Sequence, residues 1–163
     1  MLELAKRAER SRTAMKTCHH SIHLQTAAYL QFIDLTERII ELVERAAVRN
    51  GLVNIQTRHT TTAIIVNEHE PLLLEDMKKL LERVAPRDSE YQHNNFAIRT
   101  VNLDPQESDN GHAHCQAMFL GTSETLNILN GRLQLGRWQR VFFIELDRAR
   151  ERTVSVMILG EGE

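Results

Sequence analysis

The stretch "LVNIQTRHTTTAIIVNEHEP", residues 52–71, holds the pattern that decides the fold. "LVNIQT" and "TAIIVNE" are rich in β-branched and apolar residues, and they flank a polar segment at His59 to Thr61, which reads as a hairpin. Pro71 then follows a polar run. A proline loses nothing in the first turn of a helix, where its missing N–H would have no partner, so a helix is expected to start there. Leu73, Met77, Leu80, Leu81 and Val84 recur on one face until Pro86 ends it. Strand, turn, strand and helix thus follow in order.

The upstream chain repeats that order of elements without repeating the sequence. "SIHLQTA" and "YLQFID" alternate at period two around Ala27 and Ala28. "DLTERIIELVERAAVRNG" is helical, with Asp34 and Glu37 at capping-box spacing, an apolar stripe of Leu35, Ile39, Leu42, Val43 and Ala46, and Asn50-Gly51 as the stop. Residues 87–111 are polar and aperiodic, a long surface loop of the kind that often carries function. "HAHCQAMFLG", "ETLNILN", "RVFFIELD" and "RTVSVMILG" read as strands, with a tight turn at Asn130-Gly131. The fold class is therefore α+β, with antiparallel sheets and two helices.

Composition fits one ordinary globular domain. The 163 residues are 42% hydrophobic and 26% charged, with only seven glycines and three prolines; nothing marks a disordered or fibrous chain. A net charge of −2 gives no global footprint for nucleic acid. Cys18 and Cys115 form neither a disulfide framework nor a CxxC pair, which favours free thiols in a reducing compartment, the cytosol. No run approaches the length of a membrane span or of a signal-peptide core. Residues 1–20 read as a basic N-terminal arm and residues 21–163 as the single domain.

Several residues invite chemistry. His112 and His114 lie two apart on an expected strand, so both would face one side, as a metal site needs. His93, in "YQHNN", is the natural third nitrogen, and His59 is another. Asp76 falls beside the apolar stripe of the second helix, either as an edge residue paired with Lys79 or as an acid presented to a pocket. At the turn, Thr60 and Thr61 are placed to hold an anionic oxygen, with Arg150 and Arg152 or Arg137 and Arg140 to neutralise it. Trp138 reads as a core or interface aromatic. A nucleophilic Cys115 served by His114 has little support, since adjacent strand residues diverge. No GxSxG, GxGxxG, P-loop or HExxH motif is present.

Taken together, "HTTTAIIVNEHEP", "YQHNN", "GHAHCQAMFLGTS", "NGRLQLGRWQR" and "RTVSVMILGE" resemble the secondary thiamine-phosphate synthase, or YjbQ-like, family, from about Thr26 to the C-terminus. The resemblance implies a sandwich of two antiparallel sheets with two helices, in the order ββαββαβββ, and a homotrimer whose sheets pack between subunits. It singles out His59, Asn67, Glu68, Asp76, His93, His114, Trp138, Gln139 and Glu145. His112 and Asn94 depart from the family pattern.

The resulting expectation has Asp76, Glu68 and His59 in catalysis, Thr60, Thr61, Asn67 and Arg152 on substrate, and His93 and His114 on a divalent metal, zinc or magnesium. The implied activity is a weak condensation of hydroxymethylpyrimidine pyrophosphate with thiazole phosphate, releasing pyrophosphate. The alternatives are a metal or phosphometabolite binding protein without turnover, and a metal-dependent phosphoester hydrolase. The implied partners are a small phosphorylated molecule and further copies of the chain, with no nucleic acid and no membrane.

Overall fold

The structure, a computed structural model, describes residues 14–162. The elements in order are β1 (Ala14–Gln25), β2 (Gln31–Asp34), α1 (Thr36–Ala46), β3 (Val48–Thr57), β4 (Thr62–Glu68), α2 (Pro71–Val84), a 3-10 turn (Gln92–Asn94), α3 (Gly111–Ala117), β5 (Ser123–Leu129), β6 (Arg132–Leu133), β7 (Gln139–Glu145) and β8 (Glu151–Gly162). They build two antiparallel sheets, one of five strands ordered β1-β8-β3-β5-β6 and one of three ordered β2-β7-β4. The first strand begins at Ala14 and pairs with β8 along its whole length, so residues 14–20 of the expected arm belong to the sheet. Residues 1–13 and 163 of the expected arm and domain lie outside the described residues.

Burial explains the layers. Inward residues of the five-stranded sheet, such as Val53, Ile55, Val154, Val156 and Ile158, meet one face of the three-stranded sheet through Ile64, Val141 and Phe143; the α1 stripe of Leu35, Ile39, Val43 and Ala46 joins the same core. The opposite face of the small sheet, with Ala63, Phe142 and Ile144, is covered by Leu81 of α2 and Ala113 of α3. Strand alternation thus gives the small sheet two dry faces, which accounts for the unbroken burial from Val141 to Asp147.

The expected hairpin of residues 52–68 does not form. The two strands lie in different sheets, β3 beside β8 and β5, and β4 beside β7. The β1–β2 and β7–β8 connections cross between the sheets as well. Register shows that all three crossings share one end of the molecule: Gln25 lies opposite Glu151 and Thr57 opposite Val154 in the large sheet, while Gln31 and Thr62 both lie opposite Glu145 in the small one. Local alternation marks a strand but carries no information about its partner, so the nearest neighbour in sequence was the wrong one here.

Three further readings need correction. "HAHCQA" is helix α3 and not a strand, giving three α-helices among the described residues where two were expected. The stop of α1 is Ala47 in the left-handed conformation, φ 50°. Asn50-Gly51 lies inside β3, where Gly51 allows a close backbone approach: a Cβ there would sit 2.1 Å from the Leu159 carbonyl oxygen. On α2 only Leu81 is buried, while Leu72, Leu80 and Val84 are exposed. Two readings hold: Pro71 opens α2, with the Glu70 carboxylate accepting from the Leu72 and Leu73 N–H groups, and Asn130-Gly131, both at positive φ, turns β5 into β6.

Candidate functional site

The three crossings meet around a buried ion pair. Arg152 donates to both oxygens of Glu145, with Nε and Nη2 each at 2.6 Å, a fork matched to a carboxylate. Glu145 is fully buried and Arg152 nearly so. Arg152 also donates to Thr61 Oγ1 at 3.2 Å, and Glu145 accepts from Thr26 Oγ1 at 3.0 Å and from the Asp147 N–H at 3.0 Å. One residue from each crossing is thereby tied to a single charge pair. The guanidinium expected to bind substrate is already neutralised.

Beside this staple opens a cavity of about 1010 Å³, lined on the crossing side by Arg58, His59, Thr60, Thr61, Arg150 and Arg152. His93, Ile98, Arg99, Val101, Glu107 and His114 line it from the 92–114 segment. The sequence-predicted residues His59, Thr60, Thr61, His93, His114 and Arg152 are therefore brought together. Asn67, Glu68 and Asp76 are not. Glu68 ends β4 opposite Gln139, six residue steps or roughly 20 Å from Thr62. Asp76 is 70% exposed on α2 and pairs with Lys79 at 3.3 Å, as its edge reading has it.

His59 is locked in one tautomer. Its Nε2 accepts the Thr153 N–H at 2.9 Å, so the proton of the neutral ring sits on Nδ1. Burial, and then the positive charge of Arg152, push its pKa below the ordinary histidine value. The ring is thus a neutral Nδ1–H donor. It cannot ligate a metal without giving up the Thr153 bond, which argues against the third-ligand reading.

His93 and His114 do meet. Their ring centroids are 4.6 Å apart, the 3-10 turn supplying one and α3 the other. Burial, and then the neighbouring His93, lower the pKa of His114 and keep it neutral. His93 Nε2 is buried without a hydrogen-bond partner, 3.5 Å from Glu107 Oε1. Glu107 itself is held by Arg99 at 2.9 Å, and that contact first, set against burial, lowers its pKa. Neither Arg99 nor Glu107 was anticipated. An aperiodic loop gives no signal for a carboxylate 14 residues beyond the histidine it approaches.

His112 stands apart from this pair. Positions two apart on a helix differ by about 200°, so the same-face expectation fails with the strand assignment. Its ring is buried against Tyr29, edge-on at 5.2 Å. Asn94, which departs from the family pattern, has a structural role: its Oδ1 accepts from the Asn110 and Gly111 N–H groups at the start of α3. Cys115 is half-buried and Trp138 is exposed beneath Arg137; neither lines the cavity.

For a divalent metal the fit is partial. Two adjacent imidazoles, one with a buried ring nitrogen that makes no hydrogen bond, suit a cation, yet among the described residues no three His, Cys, Asp or Glu side chains gather closely enough to hold one. A metal here would complete its shell with water, ligand or a group from another chain. Among the described residues no helix is long and apolar enough to cross a membrane.

Comparison with known proteins follows the same outline. The family described as UPF0047 protein YjbQ-like matches residues 20–161. A UPF0047 protein of Methanothermobacter thermautotrophicus is 36% identical over 147 residues, covering 90% of this chain and 95% of its own length. One from Archaeoglobus fulgidus is 38% identical over 136 residues, covering 83% and 97%. A crystal structure of a YbjQ-like protein of unknown function from Sulfolobus solfataricus superposes with a TM-score of 0.81 at 35% identity, over 91% of this chain and all of that one. Sequence and fold agree over nearly the whole length, and the chain belongs to the UPF0047 YjbQ-like family.

Proposed function

We propose that the chain is an enzyme acting on a phosphorylated small molecule in the histidine-lined cavity, with a divalent cation, zinc or magnesium, held by His93 and His114. The observation that carries this reading is the buried, unpartnered Nε2 of His93 beside the neutral ring of His114, facing a wall that bears Arg58 and Arg150. Thr60, Thr61 and the Nδ1–H of His59 would donate to phosphate oxygens, and the arginines would balance their charge. A bound cation would stabilise a leaving pyrophosphate. The reaction suggested by the family resemblance is condensation of hydroxymethylpyrimidine pyrophosphate with thiazole phosphate. Asn67, Glu68 and Asp76 enter this chemistry only if a second copy presents them, which is where the expected homotrimer would bear on the reaction. An outer face of the large sheet carrying Met15, Leu52, Leu129 and Leu159 exposed is consistent with self-association.

The test combines product analysis for wild type, His114→Ala and Asp76→Ala with elemental analysis of untagged protein. One metal per chain, lost with His93→Ala and His114→Ala together with product formation, is the expected result. Equal product from all variants overturns it. A second reading, ligand binding without turnover, draws on the commitment of two of the cavity's bases, Glu107 to Arg99 and His59 Nε2 to Thr153. Saturable binding with no product, including none from generic phosphoesters, would select it over condensation and over hydrolysis.

A further inference from the structure

We infer that Ile98 and Val101 form an apolar subsite that makes this cavity select phosphorylated molecules with an apolar or aromatic body over bare phosphate. The inference rests on the phosphate-binding reading above and adds the other half of the ligand.

Two apolar side chains left 64% and 66% exposed in the lining of an otherwise polar cavity need an explanation. Random loop placement is a poor one, because the segment is built. Between the two residues, Arg99 turns away from water and anchors the loop, donating to Glu107 Oε1 at 2.9 Å and to the carbonyls of His93, Val101 and Asn102 at 3.3, 3.2 and 2.7 Å. Asn95 braces the preceding turn, its carbonyl accepting from the Ile98 and Arg99 N–H groups and its side chain from that of Ala97. Asn102 then reverses the chain at φ 54°, a conformation asparagine tolerates better than most residues. The bracing fixes Ile98 and Val101 outward while the one charged side chain between them is spent inside.

Size points the same way. A phosphate group would occupy a small part of 1010 Å³, and ligand sites of this scale bury most of a small organic molecule by apolar contact around a few placed polar groups. Arg58, Thr60, Thr61 and Arg150 sit on the crossing side, with Glu151 among them, and the apolar pair comes from the braced loop, whose Arg99 and Glu107 are paired with each other and which also bears Asp104. One ligand spanning both would carry its anion at one end and an apolar face at the other.

Calorimetric titration of the full chain with inorganic phosphate, methylphosphonate and phenylphosphonate tests this, the phosphonates being resistant to hydrolysis. Wild type should bind phenylphosphonate on the order of tenfold tighter than methylphosphonate. The Ile98→Ser, Val101→Ser double variant should lose that preference while keeping phosphate affinity within about twofold, and Ile98→Leu should retain it. Both positions are exposed, so folding is preserved. Equal affinities in wild type, or a preference that survives in the double variant, overturn the subsite and leave the phosphate site standing. Failure of all three anions to bind overturns both.

Discussion

His59 Nε2 accepts the backbone N–H of Thr153 at 2.9 Å, just past the point where β3 has ended opposite Val154. A side chain thus continues the sheet for one more rung. It also fixes which ring nitrogen carries the proton, so a residue of the cavity wall is oriented by the fold's own hydrogen-bond ladder. His59→Ala should leave that N–H without its partner and destabilise the protein by about 1–3 kcal/mol in urea unfolding. His59→Gln, with a carbonyl able to accept, should recover part of the loss.

The Glu145–Arg152 pair should dominate stability at the same end of the molecule. Removing one partner, as in Glu145→Gln or Arg152→Met, leaves a buried charge or donor unmatched and should cost about 3–5 kcal/mol. Replacing both with apolar residues of similar volume should cost distinctly less. Chemical denaturation of the two singles and the double measures the difference directly.

Acid should destabilise the fold through buried His112 and half-buried His59 and His114. Burial is the first cause of the lowered pKa of His59, His112 and His114, so in the folded chain these rings stay neutral where the unfolded chain already binds protons. Their contribution is therefore complete above the unfolded value of about 6.5 and is lost as pH falls below it. Melting temperature should decline through that window. His112→Phe, which keeps the edge contact with Tyr29 and removes the proton site, should flatten the decline.

Asp34 gives the corresponding effect at lower pH. Burial pushes its pKa up, but hydrogen bonds from Thr36, Arg140 and His69 prevail and hold it at about 2. A depressed carboxylate contributes its stability above its unfolded pKa, and that stability, of order 2 kcal/mol, is lost as pH falls from about 4 towards 2. Asp34→Asn should remove this component from an acid-denaturation curve and leave the histidine component in place.

Gly51→Ala tests the close pairing of β3 with β8. The added methyl would meet the Leu159 carbonyl oxygen at 2.1 Å and the Gly160 Cα at 2.7 Å, backbone atoms with no rotamer to escape into. A loss of about 1–3 kcal/mol or more in unfolding experiments is expected. Gly131→Ala, at φ 75° with open space around it, should cost only the conformational strain, about 1–2 kcal/mol.

Periodicity and end signals identified most strands, the apolar stripe of α1, the start of α2 at Pro71, the Asn130-Gly131 turn and the α+β class, because these depend on residues close in the chain, whereas the stripe expected on α2 is buried only at Leu81. The histidines and threonines of the cavity were also legible, since imidazoles and hydroxyls in polar turns stand out against a strand pattern. Short range was the limit. "HAHCQA" carries no alternation strong enough to decide between strand and helix, and its helical form follows from Asn94 capping its start and from Ala113 and Gln116 burying one face.

Which strand pairs with which was decided only by tertiary structure, because side-chain alternation shows that a strand has a buried face and not what lies across it. The contacts that tie the three crossings together and the Thr153 bond to His59 join residues far apart in sequence, and the Arg99 clamp on Glu107 spans eight residues of an aperiodic loop. They arise from packing two sheets and one helical layer around shared apolar faces. That packing gathered His59, His93 and His114 into one cavity and left Asn67, Glu68 and Asp76 outside it.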